Sequence, residues 1–355
     1  MNTETSTITI TVNGSPRNVP SGKFLSEYLQ SEQPCGGHGR CGKCKVIATG
    51  ELSPISESEK NLLTEEELKK GYRFACLTTA VGDCSVVTLH ADGGDVKAVT
   101  DGEMPVFSIK PVFTNYGVAV DIGTTTIAAG LYQKDGQLLC ETASLNPQIA
   151  WGADVISRIE AAMAGKAENL ALSIRSAVND SIVLLAQKAG IDSREIDGVV
   201  LTGNTVMLYL LTETDTEPLS HAPFTVHRTF GETVTAVSLG LSALLPETEI
   251  YLPPCMAAFI GADITCGILA TQICNTDKSA LFADIGTNGE MGLWANGKLT
   301  VCSTAAGPAF EGVGISKGMR GAPGAIDKVS VHNGEAVYHV IDDKKAIGIC
   351  GSGSR

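Results

Sequence analysis

Hydrophobic and polar residues alternate from the start of the chain: Ile8, Ile10 and Val12 are spaced by threonines, a period of two that predicts a strand over 7–12. Asn13-Gly14 supplies a tight turn, so the chain opens on a β-hairpin. Phe24, Leu25, Tyr28 and Leu29 share one face of a short amphipathic helix. Lys45 to Ala48 and Ser85 to His90 read as strands, and Ser56 with Glu59 and Thr64 with Glu67 form two capping boxes that open two short helices. Residues 93–115, polar and interrupted by Gly and Pro, read as a linker. Farther on, Leu170, Ile174, Val178, Ile182 and Leu185 recur near helical spacing within Asn169 to Ala189, a core-facing helix stopped by Gly190.

An internal repeat follows the linker. Tyr116-Gly-Val-Ala-Val-Asp121-Ile-Gly-Thr-Thr-Thr runs into Ile127 to Tyr132 and the turn Asp135-Gly136. Ala280-Leu-Phe-Ala-Asp284-Ile-Gly-Thr-Asn-Gly-Glu290 runs into Met291 to Trp294 and the turn Asn296-Gly297. Both are strand, Asp-Ile-Gly-Thr loop, strand, hairpin. A buried strand ending in Asp and a Gly/Thr turn presents a carboxylate, backbone N–H groups and hydroxyls to one spot, which suits Mg²⁺ and the phosphates of a nucleotide. Two such loops facing each other would make a cleft. Between them, Ile196 to Leu201 reads as a buried strand that runs into Gly203-Asn204-Thr205, either a further loop at that cleft or a turn packed for structure.

Cysteine spacing brings in a second chemistry. Cys35, Cys41 and Cys44 lie in C-G-G-H-G-R-C-G-K-C, and Cys76 follows in Arg73-Phe-Ala-Cys. Three thiolates so close together must turn inward on one cluster, and Gly36, Gly37, Gly39 and Gly42 let the backbone coil while leaving N–H groups free for the sulfurs. The pattern suits a [2Fe–2S] cluster in a ferredoxin domain. Zinc is the competing reading, although zinc ribbons usually pair two C-x2-C knuckles and here only Cys41/Cys44 makes one. The remaining seven cysteines, Cys84, Cys140, Cys255, Cys266, Cys274, Cys302 and Cys350, are scattered and read as buried thiols.

Composition narrows the partners. With 355 residues, 43% of them hydrophobic and 18% charged, the chain can bury more than one core. A net charge of −13 argues against nucleic-acid or anionic-membrane surfaces. No basic segment followed by an apolar run opens the chain, and the longest apolar candidate, Tyr251 to Ala270, is broken by Pro253, Pro254, Gly261 and Asp263, so a reducing cytoplasm is the expected compartment.

The cysteine set, Asp121-Ile-Gly-Thr-Thr-Thr, Asn146-Pro-Gln, Gly152-Ala-Asp-Val-Ile-Ser-Arg-Ile159, Gly203-Asn-Thr, Gly261-Ala-Asp263, Asp284-Ile-Gly-Thr-Asn-Gly-Glu290 and Ala306-Gly-Pro-Ala-Phe-Glu-Gly312 together resemble the ATP-dependent reductive activators of corrinoid proteins. The resemblance implies an α+β chain: a β-grasp [2Fe–2S] ferredoxin over 1–92, the linker over 93–115, and an α/β actin-like, ribonuclease H-like ATPase region. The first lobe and middle part of that region would cover 116–278 and the start of the second lobe 279–355. It implies a [2Fe–2S] cluster on Cys35, Cys41, Cys44 and Cys76, and ATP with Mg²⁺. Asp121 and Asp284 would lie on the Mg²⁺ and attacking-water side as the catalytic pair. Gly123, Thr124, Thr125, Gly286, Thr287 and Asn288 would lie on the phosphates, with Glu290 nearby.

The activity so implied is reduction of cob(II)alamin to cob(I)alamin in a corrinoid iron-sulfur or methyltransferase-associated corrinoid protein. An upstream electron donor and a homodimer go with it. Family members continue well beyond the equivalent of Gly348-Ile-Cys-Gly-Ser-Gly353, so the resemblance also implies an incomplete second lobe, weak nucleotide turnover and intact electron uptake. A plain electron carrier with a kinase-like docking module, and a small-molecule kinase with an accessory ferredoxin, are the alternative readings.

Overall fold

A computed structural model describes residues 6–29, 33, 37–39, 42, 44–89, 112–286, 288–305, 318–319, 324–332 and 335–350. Its contacts divide the chain into two compact units, Met1–Gly93 with Pro147–Ala161, and Gly94–Asn146 with Ala162–Arg355.

The first unit is built on a five-stranded sheet. β1 (Thr7–Val12) and β2 (Ser15–Pro20) form the antiparallel hairpin predicted from the alternation, with Asn13 and Gly14 at positive φ in its turn. α1 is short (Leu25–Tyr28). β3 runs Lys45–Leu52, four residues longer than its apolar stretch predicts, and α2 (Glu57–Leu62) and α3 (Glu65–Lys69) start at the two capping boxes. β4 (Tyr72–Phe74) pairs with β3, and β5 spans Ala80–Thr88. That strand begins five residues before the predicted one because Ala80, Gly82, Cys84 and Val86 all point inward while Val81, Asp83, Ser85 and Val87 alternate outward. The order is β2-β1-β5-β3-β4, with β1 and β5 parallel. Ile10, Leu25, Phe74, Ala80 and Val86 form the core. α4 (Val155–Ala161) also belongs to this unit, and Arg158 in it is fully buried, donating from Nε to Gly152 O and from Nη1 to Gln148 Oε1.

The second unit opens with a meander, β6 (Tyr116–Ile122), β7 (Thr126–Gln133) and β8 (Leu138–Leu145). α5 (Ala167–Ala189) follows and ends where Gly190 takes a left-handed conformation at φ 70°. Its buried stripe includes Leu170, Ile174, Val178, Ile182 and Leu185, the residues whose spacing predicted it, and it packs against β7 and β8. β9 (Ile196–Gly203) runs parallel to β6 and leads into α6 (Thr205–Leu211), every residue of which is buried. β10 (Glu232–Thr235) and β11 (Glu249–Leu252) complete a six-stranded sheet in the order β10-β11-β9-β6-β7-β8. Three antiparallel strands beside parallel β9 and β11 are a ribonuclease H-like arrangement, so the α+β expectation holds.

α7 (Ala262–Thr271) precedes the second repeat, β12 (Ala280–Ile285), β13 (Asn288–Ala295) and β14 (Lys298–Ala305), a three-stranded antiparallel sheet. Ile264 and Ile268 of α7 pack with Phe282, Leu299 and Val301 on one face of that sheet. A last sheet joins β15 (Gly318–Met319), β16 (Ala325–His332), β17 (Glu335–Val340) and β18 (Gly348–Cys350) in the order β15-β18-β16-β17. Its Val329, Val331, Val337 and Tyr338 are exposed. No described helix is long and apolar enough to cross a membrane. The linker predicted over 93–115 lies outside the described residues except for its last four, where the backbone N–H groups of Thr114 and Asn115 donate to the Asp197 carboxylate.

Because Ile174 is fully buried in α5, Ile174→Ala should leave a cavity and lower the unfolding free energy by about 2–5 kcal/mol. Denaturant unfolding followed by far-UV circular dichroism measures this, and an unchanged midpoint would mean that α5 does not form this core.

Candidate functional site

The two Asp-Ile-Gly-Thr loops have the same construction. Ile122 pairs with Ile127 across the first, and the Gly123 N–H closes it on Thr126 O at 2.9 Å. Ile285 pairs with Gly289 across the second, one residue shorter, and the Gly286 N–H closes it on Asn288 O at 2.9 Å. Side-chain alternation then places Asp121 and Asp284 on the faces opposite their neighbouring isoleucines. Asn146 fixes the first loop from behind: its side-chain amide donates to Gly123 O and its backbone N–H to Thr125 O, both at 2.8 Å. A trans peptide points C=O and the following N–H in opposite directions. The N–H groups of Thr124 and Thr126 are therefore turned away from Asn146.

Four carboxyl groups converge here. Burial, then the charge of Asp284, push Asp121 up to about 6. Burial and the charges of Asp121 and Asp284 push Asp263, in the first turn of α7, up to about 7, although the Ile264 N–H donates to it. Burial and the charges of Asp263 and Asp284 push Glu290 up to about 8, opposed by hydrogen bonds from Asn204 and Asn288. Asp284 is raised as well, by desolvation. Asp121 and Asp284 nonetheless keep solvent-exposed surface, whereas Glu290 is only 5% exposed. The arrangement is a cluster of four carboxyl groups in which Asp121 and Asp284 meet water, Asp263 is half-buried and Glu290 is buried.

Asn204 joins the two repeats at this point. Its Oδ1 caps α6 by accepting from the Val206 N–H at 3.0 Å, while its Nδ2 lies 3.5 Å from Glu290 Oε1. The close approach depends on two glycines. A Cβ on Gly203, whose φ is +154°, would sit 2.5 Å from Ile122 O, and one on Gly261 would sit 2.5 Å from Asn204 Cα. Gly203-Asn204-Thr205 is thus a closely packed turn into α6, from which Asn204 reaches Glu290. Of the residues expected on phosphates, Gly123, Thr124, Thr125, Gly286 and Asn288 belong to these two loops; Thr287 lies outside the described residues, as does Ala306 to Gly312. In the sequence, Asp263 and Asn146 stand out only as parts of longer motifs. Their signals, an acid just inside a glycine-started helix and an Asn after a strand, are too common to assign without the fold.

Cys35 and Cys41 lie outside the described residues. Cys44 and Cys76 are buried with their sulfurs 3.2 Å apart in a shared hydrogen bond. That bond is the main cause pulling the Cys44 thiol down to about 7, against burial and with help from backbone N–H groups of Cys76, Cys44 and Ala75. Convergent sulfurs with amide donors around them fit ligation of an iron-sulfur cluster. Of the other cysteines, Cys84, Cys255 and Cys350 are buried as expected, Cys140, Cys266 and Cys274 are half-buried, and Cys302 is exposed.

Three family descriptions match successive parts of the chain: a 2Fe-2S iron-sulfur cluster binding domain over residues 10–81, the RACo middle region over 116–276, and the C-terminal domain of RACo, the ASKHA domain, over 278–354. The corrinoid activation enzyme RamQ of Eubacterium limosum is 39% identical over 251 residues, 69% of this chain and 41% of that protein. The [Co(II) methylated amine-specific corrinoid protein] reductase of Methanosarcina barkeri is 28% identical over 219 residues, 59% of this chain and 40% of that protein. The chain thus spans about two fifths of the length of these curated relatives. A solved reductive activator for corrinoid, iron-sulfur protein aligns with 98% of this chain and 71% of its own, at a TM-score of 0.62 and 27% identity.

The acidic cleft makes a pH dependence with a definite sign. With folded values raised to about 6, 7 and 8, the folded chain retains protons that the unfolded chain releases near its ordinary carboxylate values of about 4. This contribution to stability is complete below about pH 4 and is lost as pH rises through about 8. The thermal midpoint in cation-free buffer should fall between pH 5.5 and 8.5, and Glu290→Gln should flatten the upper part of that fall. A midpoint that rises across the window would contradict the clustering.

Proposed function

We propose that this chain, a homologue of the reductive activators of corrinoid proteins built from a 2Fe-2S domain, a RACo middle region and a RACo ASKHA domain, reduces the cob(II)alamin of a corrinoid protein to cob(I)alamin with ATP. The observation that carries this reading is the presence in one chain of two convergent buried cysteine sulfurs and a cluster of carboxyl groups beside matched Asp-Ile-Gly-Thr loops. A simple electron carrier needs only the first. A small-molecule kinase needs only the second.

When bound, a [2Fe–2S] centre supplies single electrons at low potential, near −400 mV for plant-type ligation. Cys35, Cys41, Cys44 and Cys76 would hold it. The backbone N–H groups around Cys44 orient its sulfur and stabilise the thiolate. Held there, the centre would let this chain take a single electron from an upstream donor and deliver it to Co(II) with no bond broken in the chain.

In the cleft, Asp121 and Asp284 would hold Mg²⁺ and orient the attacking water. Gly123, Thr124, Thr125, Gly286, Thr287 and Asn288 would face the phosphates, with Asn146 holding the first loop in place. A divalent cation offsets the desolvation and the repulsion that raise these carboxyl groups, so its binding favours their ionised forms. Nucleotide can drive an uphill electron transfer only by binding two states of the protein with different affinity.

The chain should carry two irons and two acid-labile sulfides, and after dithionite reduction give a rhombic electron paramagnetic resonance signal. Cys44→Ser should abolish or strongly diminish the signal while leaving MgATP binding, measured by calorimetry, intact. Asp121→Asn should do the reverse, weakening MgATP binding at least tenfold with the signal unchanged. One stoichiometric zinc and no iron after anaerobic reconstitution would sink the cluster assignment.

A further inference from the structure

The two capping boxes of the 2Fe-2S domain share a local motif but differ in what surrounds them. Glu67, capping α3 with Thr64, is partly exposed and pairs with Lys45. Glu59, capping α2 with Ser56, is fully buried. A helix cap needs no buried charge, so Glu59 is held in place for something else. Its Oε1 accepts from Arg73 Nε at 2.8 Å, Phe74 N–H at 3.2 Å and Thr78 Oγ1 at 3.1 Å. Its Oε2 accepts from Arg73 Nη2 at 3.2 Å and from the backbone N–H and hydroxyl of Ser56 at 2.9 and 3.0 Å. Arg73 also donates to Ser53 O at 3.0 Å. Phe74 and Thr78 stand two residues before and two after Cys76, and the Ala75 N–H donates to Cys44 O at 2.9 Å. One carboxylate thus grips both ends of the turn that carries Cys76. It also neutralises the buried guanidinium three residues from that sulfur.

We propose that Glu59 is a positioning residue for Cys76 and that its pairing with Arg73 keeps the reduction potential of the cluster low. The proposal rests on the reading of Cys76 as a cluster ligand. Reduction adds negative charge to the cluster, so an uncompensated positive charge nearby favours the reduced form and raises the potential. Three residues of chain span at most about 10 Å. At an effective dielectric of about 20, one unpaired charge at that distance shifts a one-electron equilibrium roughly tenfold, or about 59 mV. Hydrogen bonds from Arg73, Ser56 and Phe74 overcome burial and hold the Glu59 carboxyl at about 2, so the pair stays ionised at neutral pH.

The test is redox titration of the full chain followed by electron paramagnetic resonance. Glu59→Gln, which keeps the shape but not the charge, should raise the midpoint by that roughly tenfold factor. Arg73→Lys should stay near the wild-type value, and the Glu59→Gln/Arg73→Gln double variant should return to it. A merely structural role would lower cluster occupancy in all three without this pattern of signs. A loaded Glu59→Gln chain with an unshifted midpoint overturns the proposal. If Glu59→Gln fails to hold iron, the double variant decides: a midpoint near wild type supports compensation, whereas a raised midpoint or loss of iron overturns it. A wild-type chain without iron is seen before any variant is made, and it refutes the cluster reading itself.

Discussion

Desolvation of four neighbouring carboxyl groups, Asp121, Asp263, Asp284 and Glu290, with mutual repulsion added to it at Asp121, Asp263 and Glu290, is the constraint around which the second unit is organised. Four carboxyl groups drawn from β6, α7, β12 and β13 would separate if the chain were free to let them. They are held together by strand pairing, by the buried stripe of α5, and by the packing of α7 against the second repeat. Stability that would otherwise be gained by dispersing these charges is given up, and a strained site of this kind is where function is expected. A cation relieves the repulsion directly, which ties binding in the cleft to the stability of the unit around it.

The same constraint explains the glycines at the cleft. Gly203 and Gly261 let three stretches of backbone come within van der Waals contact, so that Asn204 can cap α6 and still reach Glu290. A side chain on Gly261 would push the Asp263 helix away from the end of β9, and one on Gly203 would push β9 away from β6, displacing the carboxyl groups in either case. In the first unit Glu59 plays a comparable organising part. There a single buried charge, fully paired, sets the geometry of a turn.

Much of this was legible before any coordinates. The opening hairpin, both capping boxes, the helix over α5 and the duplicated Asp-Ile-Gly-Thr unit are local patterns, and local patterns survive folding when tertiary packing agrees with them. The early start of β5 was missed because small residues such as Ala80 and Gly82 carry little hydrophobic signal even when their alternation is strict. Asp263, Asn146 and the buried state of Glu59 were not legible for another reason. Each owes its importance to a neighbour far along the chain, and Glu59 and Glu67 are indistinguishable by their local motif although only one is buried. The exposed Cys302 likewise sits in an apolar stretch whose outer face is open.

If the cysteine site and the carboxyl cluster work together, electron delivery depends on nucleotide. The chain, reconstituted with iron and sulfide, is reduced, freed of reductant and mixed anaerobically with a cob(II)alamin-bearing corrinoid protein, and the cob(I)alamin absorption is followed with and without MgATP. Cob(I)alamin should form only when MgATP is present, slowly in keeping with the weak nucleotide turnover expected of this chain, and should be lost in both Cys44→Ser and Asp121→Asn. Equal cob(I)alamin with and without nucleotide, or full activity in Asp121→Asn, would contradict it and leave a simple electron carrier.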